Sequence, residues 1–450
     1  MTDESAASPT RKDRVIAKLV DFLIRAIFRD VQVHWPVRPS EDAPQLTVSN
    51  HFGGLSDGLV LLYAMPRRPG IVARDLIWKV PVVGRLMSWI GGIPVHRAED
   101  GAAGSANDQM FGSCYDALRQ GGNLLIFPEG VTRNEPSIAP VKTGAARIAL
   151  GARASGAQGI LIAPVGIHYE NRAALRSRVV VNGGVPLDLD AAVGEYAGAD
   201  DSVSADDRSA VRDLTDEIDR LMRDAAPDYG DWSEARALTD AADITLRAHL
   251  DNPSDAVPIG LTDRLANVLA ARPPERRDAI VDAVTSYQQD REALGVTDAY
   301  VQGRISTGGL MVSLVIQAVV ALILLPVALV GALINLLPAL VVKATGLLRM
   351  APSMAATVKP AAAIVAFGIT WGAVIWFAVS NFCVGAGAAA VVLLPVYLAA
   401  VLLLSDRLVR VGRLIRRWVG GERTRMGERE LIVDRDAVVP PVVAGGVPPA

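Results

Sequence analysis

The chain has 450 residues and a net charge of −3, with 51% hydrophobic residues and a mean hydropathy of +0.30. That length accommodates two or three domains of about 100–200 residues each, and the hydropathy is too high for an ordinary soluble protein. The charge balance and the lack of a basic stripe interleaved with aromatics exclude nucleic acid as an expected partner. Cys114 and Cys383 form no metal spacing, so reduced thiols and no metal are expected.

Residues 1–30 are read as a membrane-associating N-terminal helix. Met1 to Lys12 is polar and lacks the apolar core of a cleaved signal peptide. From Val15 to Phe28 apolar residues recur at helical spacing, with Lys18, Asp21 and Arg25 on the other side, an amphipathic pattern suited to a lipid interface. Val31 to Trp35 reads as a strand. So does Leu46-Thr47-Val48, which runs into Ser49-Asn50-His51-Phe52-Gly53-Gly54-Leu55-Ser56-Asp57-Gly58. A helical run from Gly58 to Tyr63 stops near Pro66, and Ile71-Val72-Ala73 and Ile93-Pro94-Val95 are short strands, the second leading to His96 and Arg97. Asn107 to Gln120 predicts a helix with Met110, Phe111, Cys114 and Leu118 inward, stopped by Gly121-Gly122. Leu124 to Phe127 is a buried strand, Lys142 to Ala154 a helix and Ile160 to Ile167 another strand. This alternation predicts an α/β domain over residues 31–190, a largely parallel sheet covered by helices. Sites in such sheets lie beyond the carboxyl ends of the strands, where His51, Arg97 and Glu129 emerge.

Residues 191–304 are charged and helix-prone, broken at Pro227, Pro253 and Pro273-Pro274, and read as a helical extension without chemistry. No charged residue occurs between Arg304 and Lys343, or between Lys359 and Asp406. Residues 305–405 are therefore read as an α-helical membrane region of two transmembrane hairpins, turning near Leu325-Pro326 and near Asn381. Residues 406–450 begin with Arg407, Arg410, Arg413, Arg416 and Arg417 and, past Glu422, become a Pro-, Gly-, Val- and Ala-rich tail expected to be disordered.

His51 and Asp57 carry the first chemical signal. Histidine accepts a proton near neutral pH, and a nearby carboxylate can bind one ring nitrogen, fix the tautomer and leave the other nitrogen as a base. A solvated loop histidine beside a turn aspartate is the plain alternative. Gly54-Leu55-Ser56-Asp57-Gly58 also matches the G-x-S-x-G elbow of serine esterases, with Ser56 as nucleophile, although an elbow serine directly follows its strand.

Four blocks taken together, Asn50-His51 with Asp57, Gly92 to Arg97, Phe127-Pro128-Glu129-Gly130 with Arg133, and Ala163-Pro164-Val165, resemble the glycerolipid acyltransferases, the glycerol-phosphate and lysophosphatidate acyltransferase family. The likeness covers roughly residues 15–190, a domain length. One departure is visible: the family has four residues between His and Asp, and here five separate His51 from Asp57. The resemblance implies His51 as general base with Asp57 as its partner, and Gly92, Arg97, Glu129, Gly130 and Arg133 around the acceptor, the arginines suiting its phosphate. A surface ion pair is the plain alternative for Arg97 and Arg133, and Lys142, at the start of the next helix, adds charge beside helix-terminal amides. It places Pro164 near the acyl-donor side. It implies an acyl thioester donor, acyl-CoA or acyl-carrier protein as co-substrate with no other cofactor. The acceptor is a glycerol phosphate, foremost 1-acylglycerol 3-phosphate (lysophosphatidate) giving phosphatidic acid, with glycerol 3-phosphate as the alternative. Membrane lipids are the expected surroundings, with the catalytic domain facing the cytoplasm. A non-catalytic membrane scaffold with an acyltransferase shell is the third reading, after the esterase.

Overall fold

A computed structural model describes residues 11–38, 40–79, 83–95, 104–132, 135–170, 176–197, 203–226, 228–250, 257–294, 298, 307–347 and 352–420. Two compact units divide the chain: Met1–Asp228 with Met350–Ala361, and Tyr229–Arg349 with Ala362–Ala450.

The first unit is built on a sheet. In chain order its elements are α1 (Arg11–Ile27), β1 (Phe28–His34), β2 (Gln45–Ser49), α2 (Leu55–Ala64), β3 (Gly70–Arg74), a 3-10 turn (Asp75–Lys79), α3 (Val83–Trp89), β4 (Ile93–Val95) and α4 (Gly104–Arg119). β5 (Asn123–Ile126), α5 (Gly144–Ala154), β6 (Leu161–Tyr169), β7 (Ser177–Gly183), β8 (Leu187–Asp188), α6 (Leu189–Ala197) and α7 (Arg208–Ala225) complete it. The strands run in the order β1-β7-β6-β2-β5-β3-β4, with β8 beside β6. From β6 through β4 every neighbouring pair is parallel, and only β7 and β8 run antiparallel to β6. The largely parallel α/β sheet expected from the alternation is therefore present, and the carboxyl ends of β2, β4, β5 and β6 share one edge.

Side-chain alternation divides the core into two layers. Leu46 and Val48 of β2, Leu124 of β5 and Ile162 of β6 pack under α4, α5, α6 and α7. Leu125, the neighbour of Leu124, faces the other way with Val165, Ile167, Val179 and Val181, under α1 and α2. The apolar face of α1, expected to meet lipid, is spent here: Ile16, Val20 and Ile24 are buried in this second layer, while Val15 and Leu19 are the large apolar residues of α1 described as exposed. The domain boundary expected at residue 190 also moves. α7 lays Leu214, Ile218 and Met222 into the first layer, and a Cβ on Gly166 would overlap the Ala225 carbonyl. The compact fold thus runs to Asp228 rather than yielding to a separate extension.

The second unit contains α8 (Trp232–Ala248), α9 (Ile259–Ala270) and α10 (Pro274–Leu294), packed around Tyr229, Leu238, Leu265, Val284 and Tyr287. Asp231 caps α8 by accepting from the amides of Ser233 and Glu234. Three long apolar helices follow: α11 (Thr307–Thr345), α12 (Pro352–Asn381) and α13 (Val384–Gly420). Val315–Thr345, Ala361–Asn381 and Val384–Leu408 are each long and apolar enough to cross a membrane. The hairpin expected near Leu325-Pro326 is absent; α11 continues through Pro326 and Pro338. In an apolar surrounding no water competes for the carbonyl that proline frees, and long helices there tolerate it. The second expected turn falls beside Asn381, at Phe382 and Cys383. α11 and α13 meet closely where a Cβ on Gly331 would overlap the Tyr397 carbonyl, the small-residue contact of apolar helix pairs. The tail past residue 420 lies outside the described residues.

Candidate active site

The site starts from the end of β2. β2 pairs with β6 up to Ser49 opposite Val165, and Asn50 then continues that pairing with its side chain. Its Oδ1 accepts from the Ile167 amide at 2.7 Å and its Nδ2 donates to the Ile167 carbonyl at 3.0 Å. Fully buried, Asn50 thereby fixes the backbone from which His51 departs.

His51 Nδ1 lies 2.9 Å from Asp57 Oδ2. The histidine side chain is 20% exposed and the aspartate 0%, so the pair has one wet end and one dry end. The extra residue between them is taken up in the turn before α2. Gly54 precedes the helix at φ 60°, ψ −123°, a backbone conformation open to glycine and closed to other residues. The Ser56 and Asp57 amides donate to the Gly53 and Gly54 carbonyls at 3.2 Å each, which places Asp57 in the first turn of α2, where the helix dipole favours a negative charge. The Gly53 amide donates to Asp57 Oδ1 at 3.0 Å and Oδ2 at 2.8 Å. It is turned toward the aspartate, so among the loop glycines it is not an oxyanion donor. Tyr169, at the end of β6, donates its hydroxyl to Asp57 Oδ1 at 2.6 Å. Ser56 is buried within the same helical turn, well past the end of β2 at Ser49, so the strand-to-serine geometry of a nucleophile elbow is not formed.

The Phe127-Pro128-Glu129-Gly130 block supports His51 from the β5 side. The Phe127 ring stacks on the imidazole with centroids 4.2 Å apart and planes 19° apart. Glu129 is buried and braces two segments: Oε1 accepts from the His51 amide at 2.7 Å and Oε2 from the Ala139 amide at 2.9 Å. Burial pushes its carboxyl above the usual carboxylate range, and these two amide bonds only partly oppose that. Gly130 turns the chain at φ +66°, and a Cβ there would sit 3.0 Å from Lys142 Nζ. Lys142 is exposed, its stem lies along this turn, and its amide donates to the Pro128 carbonyl at 2.9 Å. A cation therefore stands beside the turn that braces His51.

The remaining sequence candidates fall out differently. Gly92 follows α3, where a Cβ would press on Trp78 and Met87, a packing role. Pro164 is buried inside the sheet opposite Val48, with its ring against Gly184. Arg97 and Arg133 lie outside the described residues; the chain is described to Val95 and to Thr132 just before them. Sequence reasoning missed the roles of Asn50, Phe127 and Tyr169. For Tyr169 the available signal was period-two alternation with Val165 and Ile167 on β6, which gives the face but not the partner.

The chain is similar to known proteins over part of its length. Residues 30–168 match the model of the Acyltransferase family. Glycerol-3-phosphate O-acyltransferase 2 of Saccharomyces cerevisiae is 35% identical over 124 residues, which make up 27% of this chain and 16% of that protein. Two chloroplastic 1-acyl-sn-glycerol-3-phosphate acyltransferases are 28% (Brassica napus) and 26% (Arabidopsis thaliana) identical over 111 residues, 25% of this chain and 30% of each plant protein. The chain thus spans less than a third of the length of these curated relatives. The 1-acyl-sn-glycerophosphate acyltransferase PlsC of Thermotoga maritima is 18% identical, with a TM-score of 0.36 over 48% of this chain and 79% of that one. Over residues 30–168 this chain is similar to the Acyltransferase family, and over part of its length to acyltransferases of glycerol 3-phosphate and 1-acyl-sn-glycerol 3-phosphate.

Proposed function

We propose that this protein is a membrane enzyme that moves a fatty acyl group from an acyl thioester to the free hydroxyl of 1-acylglycerol 3-phosphate, giving phosphatidic acid. The observation that carries the reading is the 2.9 Å contact between a part-exposed His51 and a buried Asp57. With Nδ1–H donated to Asp57, Nε2 is left as the base. His51 takes the acceptor hydroxyl's proton as the oxygen attacks the thioester carbonyl. The tetrahedral intermediate collapses, the thiolate leaves, and the imidazolium returns the proton to it. Asp57 stabilises the imidazolium throughout, and no acyl-enzyme forms. General-base help of this kind contributes about 10²–10⁴ in rate.

Arg97, Arg133 and Lys142 hold the acceptor phosphate; arginine's planar fork matches phosphate oxygens and lysine adds a point charge. Glu129 and Gly130 shape the acceptor side by holding the His51 amide and making room for the Lys142 side chain. Acyl thioesters are cytosolic, so the domain faces the cytoplasm.

The yeast relative's 35% identity favours a second reading of the acceptor, glycerol 3-phosphate itself. One assay separates the two. Membranes carrying the protein are given a radiolabelled acyl-CoA or acyl-carrier protein with either acceptor, and labelled phosphatidic acid or labelled lysophosphatidate is read. Thioester hydrolysis without transfer to either acceptor would overturn the proposal.

A further inference from the structure

We propose that Tyr169 is a positioning residue for the His51–Asp57 pair, holding the aspartate in place across a His–Asp loop that is one residue longer than the family pattern. The inference rests on the acyl-transfer reading above.

Asp57 has no exposed surface, and a buried carboxylate keeps a fixed orientation only through its donors. Two of those donors, His51 Nδ1 and the Gly53 amide, belong to the same short loop and move with it. Tyr169 is a donor that comes from elsewhere in the fold. It stands on β6, which is paired on both flanks by β2 and β7. The residue is 8% exposed, and its ring lies against Phe28 with centroids 5.9 Å apart. Its hydroxyl reaches Asp57 Oδ1 at 2.6 Å, in the short range of charge-assisted O–H···O⁻ bonds.

The loop is shaped to admit that hydroxyl. A Cβ on Gly53 would lie 2.6 Å from Asp57 Oδ1 and 2.9 Å from Tyr169 Oη. Gly53 thus leaves open the space through which Tyr169 meets the aspartate, while its amide grips the same carboxylate. Gly54 supplies the turn, and Gly53 with Tyr169 orients what the turn delivers. Asp57 then holds the imidazole in one plane, with Phe127 stacked on its face and Glu129 on its backbone.

The test is Tyr169→Phe in the full-length protein, alone and combined with Asp57→Asn. Phenylalanine keeps the ring and its packing and removes only the donor. Expected is an about tenfold fall in kcat, the scale of one lost charge-assisted bond, with KM for both substrates within about twofold and the melting temperature nearly unchanged. In the Asp57→Asn background the same change should cost less than about twofold, because groups acting through one another are not additive. Multiplying losses, or a full-activity single variant, would overturn the proposal. A second readout needs no turnover: the rate at which diethylpyrocarbonate modifies His51, followed by peptide mass. Tyr169→Phe should shift that rate toward the Asp57→Asn value, and a wild-type rate would overturn the proposal as well. A wild-type protein that transfers no acyl group, with the modification shift intact, would sink the acyl-transfer reading and leave the positioning role standing.

Discussion

Replacing Glu129 with glutamine removes one of two buried acceptors that serve two different backbone segments. The carboxylate accepts from the His51 amide at 2.7 Å and from the Ala139 amide at 2.9 Å. A glutamine can serve only one of them and presents an NH₂ group to the other. One bond to a charged group, about 1.5–3 kcal/mol, is lost, and a buried amide is left facing a donor at a cost of about 1–3 kcal/mol. Part of this is offset, because burial already disfavours the ionised carboxyl and the amide carries no charge. A net loss of about 2–3 kcal/mol lowers the melting temperature of a unit this size by roughly 5–10 °C. The pH dependence has a definite sign. Glu129 has a folded-state pKa above its unfolded value, so between the two the folded chain binds the more protons. Its contribution to stability is present below that interval and declines as pH rises through it; glutamine should remove this slope. Thermal unfolding in detergent across pH, alongside kcat and the two KM values, reads all of this, with kcat falling because the His51 backbone loosens. Wild-type stability combined with a raised acceptor KM alone would refute the bracing role and make Glu129 a direct acceptor contact.

Four further outcomes are expected. His51→Ala should lose about 10²–10⁴ of transfer rate and Asp57→Asn less, while Ser56→Ala keeps most of it; an acyl group trapped on Ser56 would restore the esterase reading. Replacing Arg97, Arg133 or Lys142 with alanine should raise the acceptor KM more than the thioester KM, and lysine at the arginine positions should rescue only in part; unchanged acceptor KM in all three would remove phosphate binding from them. Maleimide should label Cys383, exposed in the turn between α12 and α13, and leave Cys114, buried and with its thiol pushed up to about 12, unmodified in the folded protein; labelling at Cys114 would contradict the α4 packing. A reporter fused at Arg304, ahead of the three apolar helices, should read cytoplasmic, and an external reading would reverse the proposed orientation.

The His51–Asp57 pair was legible because its residue types and neighbourhood announce the chemistry, yet its geometry was not. Five intervening residues permit a pair only if one of them adopts a backbone that Gly54 alone can take, and a φ angle is not written in a sequence. The central strands were legible as apolar runs. β7 was not, since Ser177-Arg178 and Asn182 dilute its Val179-Val180-Val181 centre. α7 reads as a helix from its spacing, but that its apolar stripe covers β6 rather than opening a new unit depends on a distant glycine, Gly166. Pro326 suggested a turn because proline ends helices in water; within a long apolar helix the same residue passes unbroken. The stripe of α1 had two possible partners, lipid and protein, and spacing cannot distinguish them.

Asn50 ties β2 to β6 through the amide and carbonyl of Ile167, not through any feature of the isoleucine side chain. The joint is therefore indifferent to what residue 167 is and strict about where it is. Related sequences can drift at 167 among residues that fill the layer it occupies. A single residue inserted or deleted in β6 ahead of it would carry Tyr169 to the opposite face of the sheet, away from Asp57, with His51 and Asp57 still encoded. In this domain the vulnerable quantity is register, and a length change in a strand that bears neither His51 nor Asp57 could silence the protein as completely as the loss of either.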